Sequence, residues 1–474
     1  MSVLPGGNVN LEITPANTLS NGKISYRGGS PVIQFIIGEQ ERFLIGRSVR
    51  LCGSFRVNLT ESGTPSATLV KSSFVTETTG VTTTNDDSGS QLSLPARLGA
   101  YALIDQLVIR SQATHQVIEH IRHYGRFCAS FMPTTTSLGD QVSHLSETAL
   151  IMPNWELGKT SVVNNPAQAT TGNDFCINLP CGLFSGLQDI PLSGTTGLKG
   201  LLVEVHLAPD QNVLYALNGN TTTGGGTDLR NSYYELSDVR LVAEAVNPTS
   251  EQASEFSAKG NTFEYNSISS YFASINSTNA ILNFNLGMSR VLGVFCNFLA
   301  SENINQLSAD GMATAPMLNK TTFKVADINQ VIFTKGGTRF PLEYNLDTLQ
   351  KDTAQKPFPV VVDCQLQRNY LNAIKNFSNL QKTSANPRNT WLNNMESSGD
   401  NQELADVYAV EGGNNYGVGI AYDTISGDGV DFSKESWGLQ LDCGLDTDRP
   451  HACFVFVHSK NTLVWNAQGL QVMN

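Results

Sequence analysis

At 474 residues, with 40% apolar and 15% charged side chains, the chain is long for one core and points to two or three folded domains. Its net charge of −12 is spread along the sequence with no basic block, which argues against gripping nucleic acid phosphates as its main task. No apolar run approaches the length that spans a bilayer, and no basic-plus-apolar leader is expected at the N-terminus.

Residues 1–30 are polar, carry Pro5-Gly6-Gly7 and Gly28-Gly29, and read as an extended arm. Strand patterns start at 32–37 and continue through 43–45 and 48–59. From Thr60 to Ser93 the chain is dense in Thr, Ser and Gly, the composition of a long exposed loop. Then comes Ile104-Asp105-Gln106-Leu107-Val108-Ile109, a strand whose Leu107 and Ile109 share one face. Ile104 and Val108 on the other face are apolar too, so both faces need cover, from a second sandwich or a neighbouring subunit. A turn at Gln112-Ala113 leads to a second strand. An amphipathic helix is predicted next, with Val117, Ile121, Tyr124, Cys128 and Phe131 as its apolar stripe and Glu119, Arg122 and Arg126 facing away. Pro133 closes it.

A polar region containing Trp155 follows, then a short apolar segment at 175–183 and a strand at 201–207. The run from Tyr233 to Ala243 alternates well and reads as the closing strand of a first half. Residues 247–260, with Pro248, are the best boundary between halves. Strands are expected around 263–272, 281–286 and 291–298, then a loop at 301–320 and a polar excursion from Thr383 to Asp431. The chain ends on strands at 438–441, 453–458 and 463–465.

The stretch at 104–109 occurs twice. Ile328-Asn329-Gln330-Val331-Ile332-Phe333 lies 224 residues downstream, again followed by a turn, Gly336-Gly337, a second strand and a helix. That helix would carry Tyr370, Ile374 and Phe377 inward, and both Phe131 and Phe377 are expected to be buried. Ile328 and Ile332 repeat the apolar second face. A further echo pairs 201–207 and 233–243 with 453–458 and 463–472. Each half would thus hold about eight strands with turn-rich links, which suits a jelly-roll sandwich.

The motifs of enzymes are missing: there is no GxSxG elbow, Walker A loop, HExxH or dinucleotide fingerprint. His120 and His123 would share a helix face and could ligate a metal, but Arg122 and Arg126 beside them oppose a cation. There is no His-x-His of the kind cupins use. Asp442, Asp446 and Asp448 offer oxygen ligands for calcium, with a solvated loop as the simpler reading. Cys176 and Cys181 lack the second pair a zinc site needs. All eight cysteines, none in a CxxC, fit buried thiols of a reducing compartment. The sequons at Asn58, Asn220, Asn276, Asn319 and Asn376 matter only in a secreted chain. Tyr408, Tyr416 and Tyr422 raise a sugar-binding reading but more often pack a loop onto its own domain. No catalytic, cofactor-binding or metal residue is assigned, and no cofactor is expected.

With its repeated unit at 104–109 and 328–333, the helices after it and the closing strand before the boundary, the sequence resembles the double jelly-roll major capsid proteins of the PRD1–adenovirus lineage, of virophage and polinton-like type. The likeness is architectural and covers essentially the whole chain. It implies an all-β fold of two tandem eight-stranded jelly rolls with short helices and long loops: an arm at 1–30, a first roll at 31–246, a linker at 247–262 and a second roll at 263–474. It also implies a homotrimeric, pseudo-hexagonal capsomer tiling an icosahedral shell, without enzymatic activity. The partners would be neighbouring capsomers, penton and minor capsid proteins, with an internal membrane left open and no sequence-specific nucleic acid. The place would be the virion, assembled in the host cytoplasm or nucleus. The alternative function is a glycan- or receptor-binding double sandwich; a glycosidase is a third, with no pair of carboxylates singled out.

Overall fold

The structure is a computed structural model and describes residues 8–17, 22–29, 31–58, 60–61, 64–65, 91–94, 98–136, 148–150, 173–186, 188–193, 198–213, 215–217, 233–251, 254, 258, 262–300, 328–341, 346–347, 368–374, 417–422, 428–443, 451–466 and 469–474. The principal strands of the first half are β1 (Val9–Ile13), β2 (Val32–Ile37), β3 (Phe43–Asn58), β4 (Ile104–Ser111), β5 (Val117–Arg122), β6 (Asn173–Asn178), β7 (Leu201–Leu207) and β8 (Tyr233–Val246). Those of the second are β9 (Thr262–Ile275), β10 (Asn279–Phe284), β11 (Val291–Ala300), β12 (Ile328–Lys335), β13 (Leu346–Asp347), β14 (Gly417–Ala421), β15 (Trp437–Cys443) and β16 (His451–Asn466).

In the first half the sheets run β1-β8-β3-β6 and β2-β7-β4-β5; in the second they run β9-β16-β11-β14 and β10-β15-β12-β13. Adding eight to each strand number converts one half into the other. Two eight-stranded jelly rolls are therefore present, as the sequence predicts. Alternation explains the strands. Along β8 buried and less buried residues alternate, interrupted near Asp238, whose φ of 52° coincides with a register shift against β3.

The repeated unit falls on equivalent strands. Leu107 and Ile109 of β4 pair with Val205 and Val203 of β7, while Val331 and Phe333 of β12 pair with Leu441 and Leu439 of β15. Both pairings slip by one residue at the start of the strand, leaving Asp105 unpaired in one copy and Asn329 in the other. A bulge kept at the same place in both halves is a shared backbone feature that apolar alternation alone does not require. Ile104 and Val108 are buried, at 1% and 2% exposure, and Ile332 is half-buried.

Four expectations need correction. Residues 1–30 are not simply an arm, because Val9–Ile13 pairs with β8 from Val9↔Ala245 to Ile13↔Leu241, and Lys23–Ile24 pairs with it as well. The alternation of Val9, Leu11 and Ile13 is a strand signal obscured by polar, Gly- and Pro-containing flanks. Second, the first helix, α1, spans only Tyr124–Thr135. Val117 and Ile121 belong to β5, where a step of four also keeps residues on one face. Third, His120 and His123 do not share that helix. Fourth, the closing echo is out of register: residues 453–458 and 463–464 lie in one continuous strand, β16, paired along its length with β9, and the counterpart of β7 is β15. The polar Ser459-Lys460-Asn461-Thr462 resembles a turn in sequence but continues the ladder.

Phe131 is buried at 7% exposure and stacks on Phe127 with centroids 5.2 Å apart. Its partial exposure places Phe131→Ala near the lower end of the usual cost, about 3 kcal/mol, measurable by denaturant unfolding. In the second roll residues 368–374 are helical, with Tyr370, Ala373 and Ile374 buried, while Phe377 lies outside the described residues.

Candidate functional site: the seam between the rolls

The two rolls meet edge to edge. β5, at the margin of the first roll, runs parallel to β9, at the margin of the second, with Ser269 opposite His120, so that one sheet continues through both rolls. Side chains complete the junction: Tyr265 Oη donates to the Ile118 carbonyl at 2.8 Å, and the Arg122 amide donates to Ser270 Oγ at 2.7 Å.

At its centre is Glu119, 2% exposed. Its Oε1 accepts from the amides of Gly182 and Ile268, each at 2.8 Å, and its Oε2 accepts from the Leu183 amide at 2.9 Å. Gly182 and Leu183 open a four-residue helix, α2 (Gly182–Ser185), capped by Cys181, whose Sγ accepts from the Phe184 amide at 3.3 Å. One carboxylate thus satisfies two otherwise unpaired helix amides of the first roll and a strand amide of the second. Glycine is required at 182, because a Cβ there would overlap the Asn266 carbonyl and Ser267 Cα of β9. The expectation that Glu119 faces solvent is overturned: it is the buried link between the rolls.

Burial pushes the Glu119 carboxyl up to about 7, against the pull of the Leu183, Gly182 and Ile268 amides and of Cys181. Between the ordinary value of 4.5 and about 7, the folded chain keeps a proton here that the unfolded chain releases. The stability that Glu119 contributes through this shift is therefore complete below 4.5 and lost as pH rises through about 7, on the order of 3 kcal/mol. Glu119→Gln imitates the protonated form at every pH. The melting temperature of the wild type is expected to fall relative to that variant between pH 5 and 8; a constant difference would contradict the assignment.

Helix α1 extends the seam. It follows β5 in the first roll, yet packs on the outer face of the second roll's sheet. Phe127 meets Phe456 at 5.7 Å and Phe295 at 6.2 Å, the Arg126 guanidinium lies 5.8 Å from the Phe454 ring, and the Asn297 side chain bonds to Ser130. Phe295 in turn meets Tyr370 at 6.2 Å, so helices from both rolls share this face. On the opposite face, Tyr271 reaches Phe284, which packs on Trp437 inside the second sandwich. This explains why β16 is buried on both faces between Ala452 and Val457: Phe454 and Phe456 meet α1, and the odd-numbered residues lie on the core face.

Among the described residues the chemistry raised from sequence is not assembled. His120 lies in β5, with Nε2 3.0 Å from Gln106 Oε1, and His123 is the left-handed residue before α1, packed 5.1 Å from Phe454. Burial holds both imidazoles below their usual pKa. Tyr422 is fully buried and its hydroxyl accepts from Trp437 Nε1 at 3.0 Å, so it offers no sugar platform; Tyr408 and Tyr416 lie outside the described residues. Asp442 is in β15, whereas Asp446 and Asp448 are outside the described residues. Cys181 caps α2 and Cys176 lies in β6. Among the described residues no three His, Cys, Asp or Glu converge as a metal site, and no helix is long and apolar enough to cross a membrane. The geometry is that of an interface.

Two jelly rolls of equivalent topology, joined through one continuous sheet, define a double jelly-roll fold. Solved structures share it. A chain of the cryo-EM structure of the Sputnik virophage matches with a TM-score of 0.55 at 12% identity, covering 100% of this chain and 89% of that one. The Faustovirus major capsid protein matches at 0.50 and 10% identity, covering 97% and 90%. PBCV-1 VP54, fitted into a reconstruction of Sputnik, matches at 0.50 and 10% identity, covering 98% and 96%. At this identity the likeness is one of fold. No family model and no curated protein matches the sequence.

Proposed function

We propose that the chain is a viral major capsid protein, assembling as a homotrimeric, pseudo-hexagonal capsomer that tiles an icosahedral shell. The observation that carries this reading is the seam. It joins the β5 edge of one roll to the β9 edge of the next, and these are non-identical surfaces. The corresponding edges at the two ends of the chain are β13, in the second roll, and β1, in the first. Three chains repeating the same step head to tail place six rolls in a ring, and a closed ring needs no further type of contact. Likeness in fold to the Faustovirus major capsid protein supports the same reading.

In this scheme the first roll ends at Val246, the second begins at Thr262, and the segment between is a linker. The protein is a structural component of the virion rather than an enzyme, with neighbouring capsomers, penton and minor capsid proteins as partners. Its acidic charge suits a shell that does not grip nucleic acid itself. The glycan-binding alternative loses support with the burial of Tyr422. Negative-stain electron microscopy of the purified protein tests the proposal: particles with hexagonal outline and threefold symmetry are expected, and isolated two-lobed particles would refute it.

A further inference from the structure

The outer face of the first roll's β1-β8-β3-β6 sheet carries a reactive arrangement unrelated to the seam. Cys52 of β3 and Cys176 of β6 stand directly opposite each other in the antiparallel register, with their Sγ atoms 2.8 Å apart. Residues so paired have Cα atoms about 4.5 or 5.5 Å apart, and both separations lie within the span a disulfide bridges, about 4.4–6.8 Å. The spacing of paired strands is therefore compatible with the bond.

The surroundings favour attack by Cys176. Arg240 of β8 is the register partner of Cys52 on its other side, and Arg50 precedes it on the same face. Cys52 is 9% exposed, while Cys176 is half-buried at the sheet surface and open to a small reagent. The hydrogen bond from Cys52 holds the Cys176 thiol well below its ordinary value, and Arg50 and Arg240 add to this; the same pairing pushes Cys52 up. Cys176, the more exposed of the two, is thus placed as the nucleophile, with Cys52 behind it as the resolving group. Among the described residues no third His, Cys, Asp or Glu joins them, so a metal is not indicated. Cys296 and Cys453 are fully buried, where no reagent reaches them.

We propose that Cys52 and Cys176 form a thiol–disulfide exchange site that closes to a cross-strand disulfide with small-molecule disulfides such as glutathione disulfide. The Cys176 thiolate attacks one sulfur of the reagent, forming a mixed disulfide and expelling one glutathione thiolate. Cys52 gives up its proton to that thiolate and attacks Cys176 Sγ, displacing the second glutathione as thiolate. Two protein sulfurs are oxidised and one glutathione disulfide is reduced. The bond ties β3 to β6 across 124 residues of chain, so the oxidised protein melts at a higher temperature than the reduced one.

The test is exposure of the folded full-length chain to glutathione disulfide, acid quenching, alkylation and peptide mapping by mass spectrometry. The peptides holding Cys52 and Cys176 are expected to be cross-linked in the wild type. Cys52→Ser should trap a glutathione adduct on Cys176, and Cys176→Ser should leave Cys52 free of adduct. Full alkylation of both cysteines in the treated wild type would overturn the proposal, as would a persistent glutathione adduct on Cys176 without the cross-link. The wild-type map alone decides between these outcomes if a variant does not fold.

Discussion

Glu119→Ala should destabilise the folded chain by roughly 3–6 kcal/mol, more than any other single truncation along the seam. The carboxylate is the acceptor for three amides, those of Gly182, Leu183 and Ile268, and alanine leaves all three without it inside a closed junction. A buried donor stripped of its acceptor costs about 1–3 kcal/mol, and three adjacent ones share a cavity, so the sum is less than additive. Glu119→Gln should cost less. One oxygen can still serve two amides, and only the contact with the third is replaced by opposed N–H groups. Chemical denaturation of both variants near pH 4.5, where the stability Glu119 contributes is complete, checks the order; a loss below about 1 kcal/mol for the alanine variant would remove Glu119 from the centre of the seam.

Phe127→Ala is expected to cost about 4 kcal/mol, and its effect should appear in how the rolls hold together. Phe127 sits within ring contact of Tyr124 and Phe131 on its own helix and of Phe295 and Phe456 in the second roll. Truncation opens a void between α1 and the β11-β16 sheet, which neither the helix nor the sheet can close without shifting. Limited proteolysis reads this directly: the variant should be cut between the rolls, within 247–261, faster than the wild type. Equal cutting rates with an unchanged melting temperature would contradict the packing of α1 on the second roll.

Much of this architecture is legible in the sequence because it is local and repeated. The unit at 104–109 announces itself through apolar residues on both faces, and its copy at 328–333 fixes the equivalence of β4 and β12. The parts that are not legible depend on distant partners. Glu119 reads as the polar side of a helix, since Val117 and Ile121, four apart, fit helical spacing as well as they fit β5. Its three donors lie 63, 64 and 149 residues away, and nothing local marks them. The polar middle of β16 imitates a turn between two strands, yet Lys460 is held there by Glu264 of β9 at 2.9 Å, with Arg290 on the same residue's carboxylate at 3.0 Å. β1 is short, lies at a sheet edge and takes its stability from β8, more than 200 residues on. The pairing of Cys52 with Cys176 is equally hidden, because it follows from strand order rather than from spacing.

The seam gives the proposed assembly its logic: a chain that joins two unlike edges internally has the same two kinds of edge, β13 and β1, at its outer margins. Light scattering coupled to size exclusion, at micromolar concentration, measures whether those ends are used. The expected result is a stable species of three times 51.3 kDa, about 154 kDa, whose mass does not change on dilution through that range. A single species at 51.3 kDa throughout would contradict it.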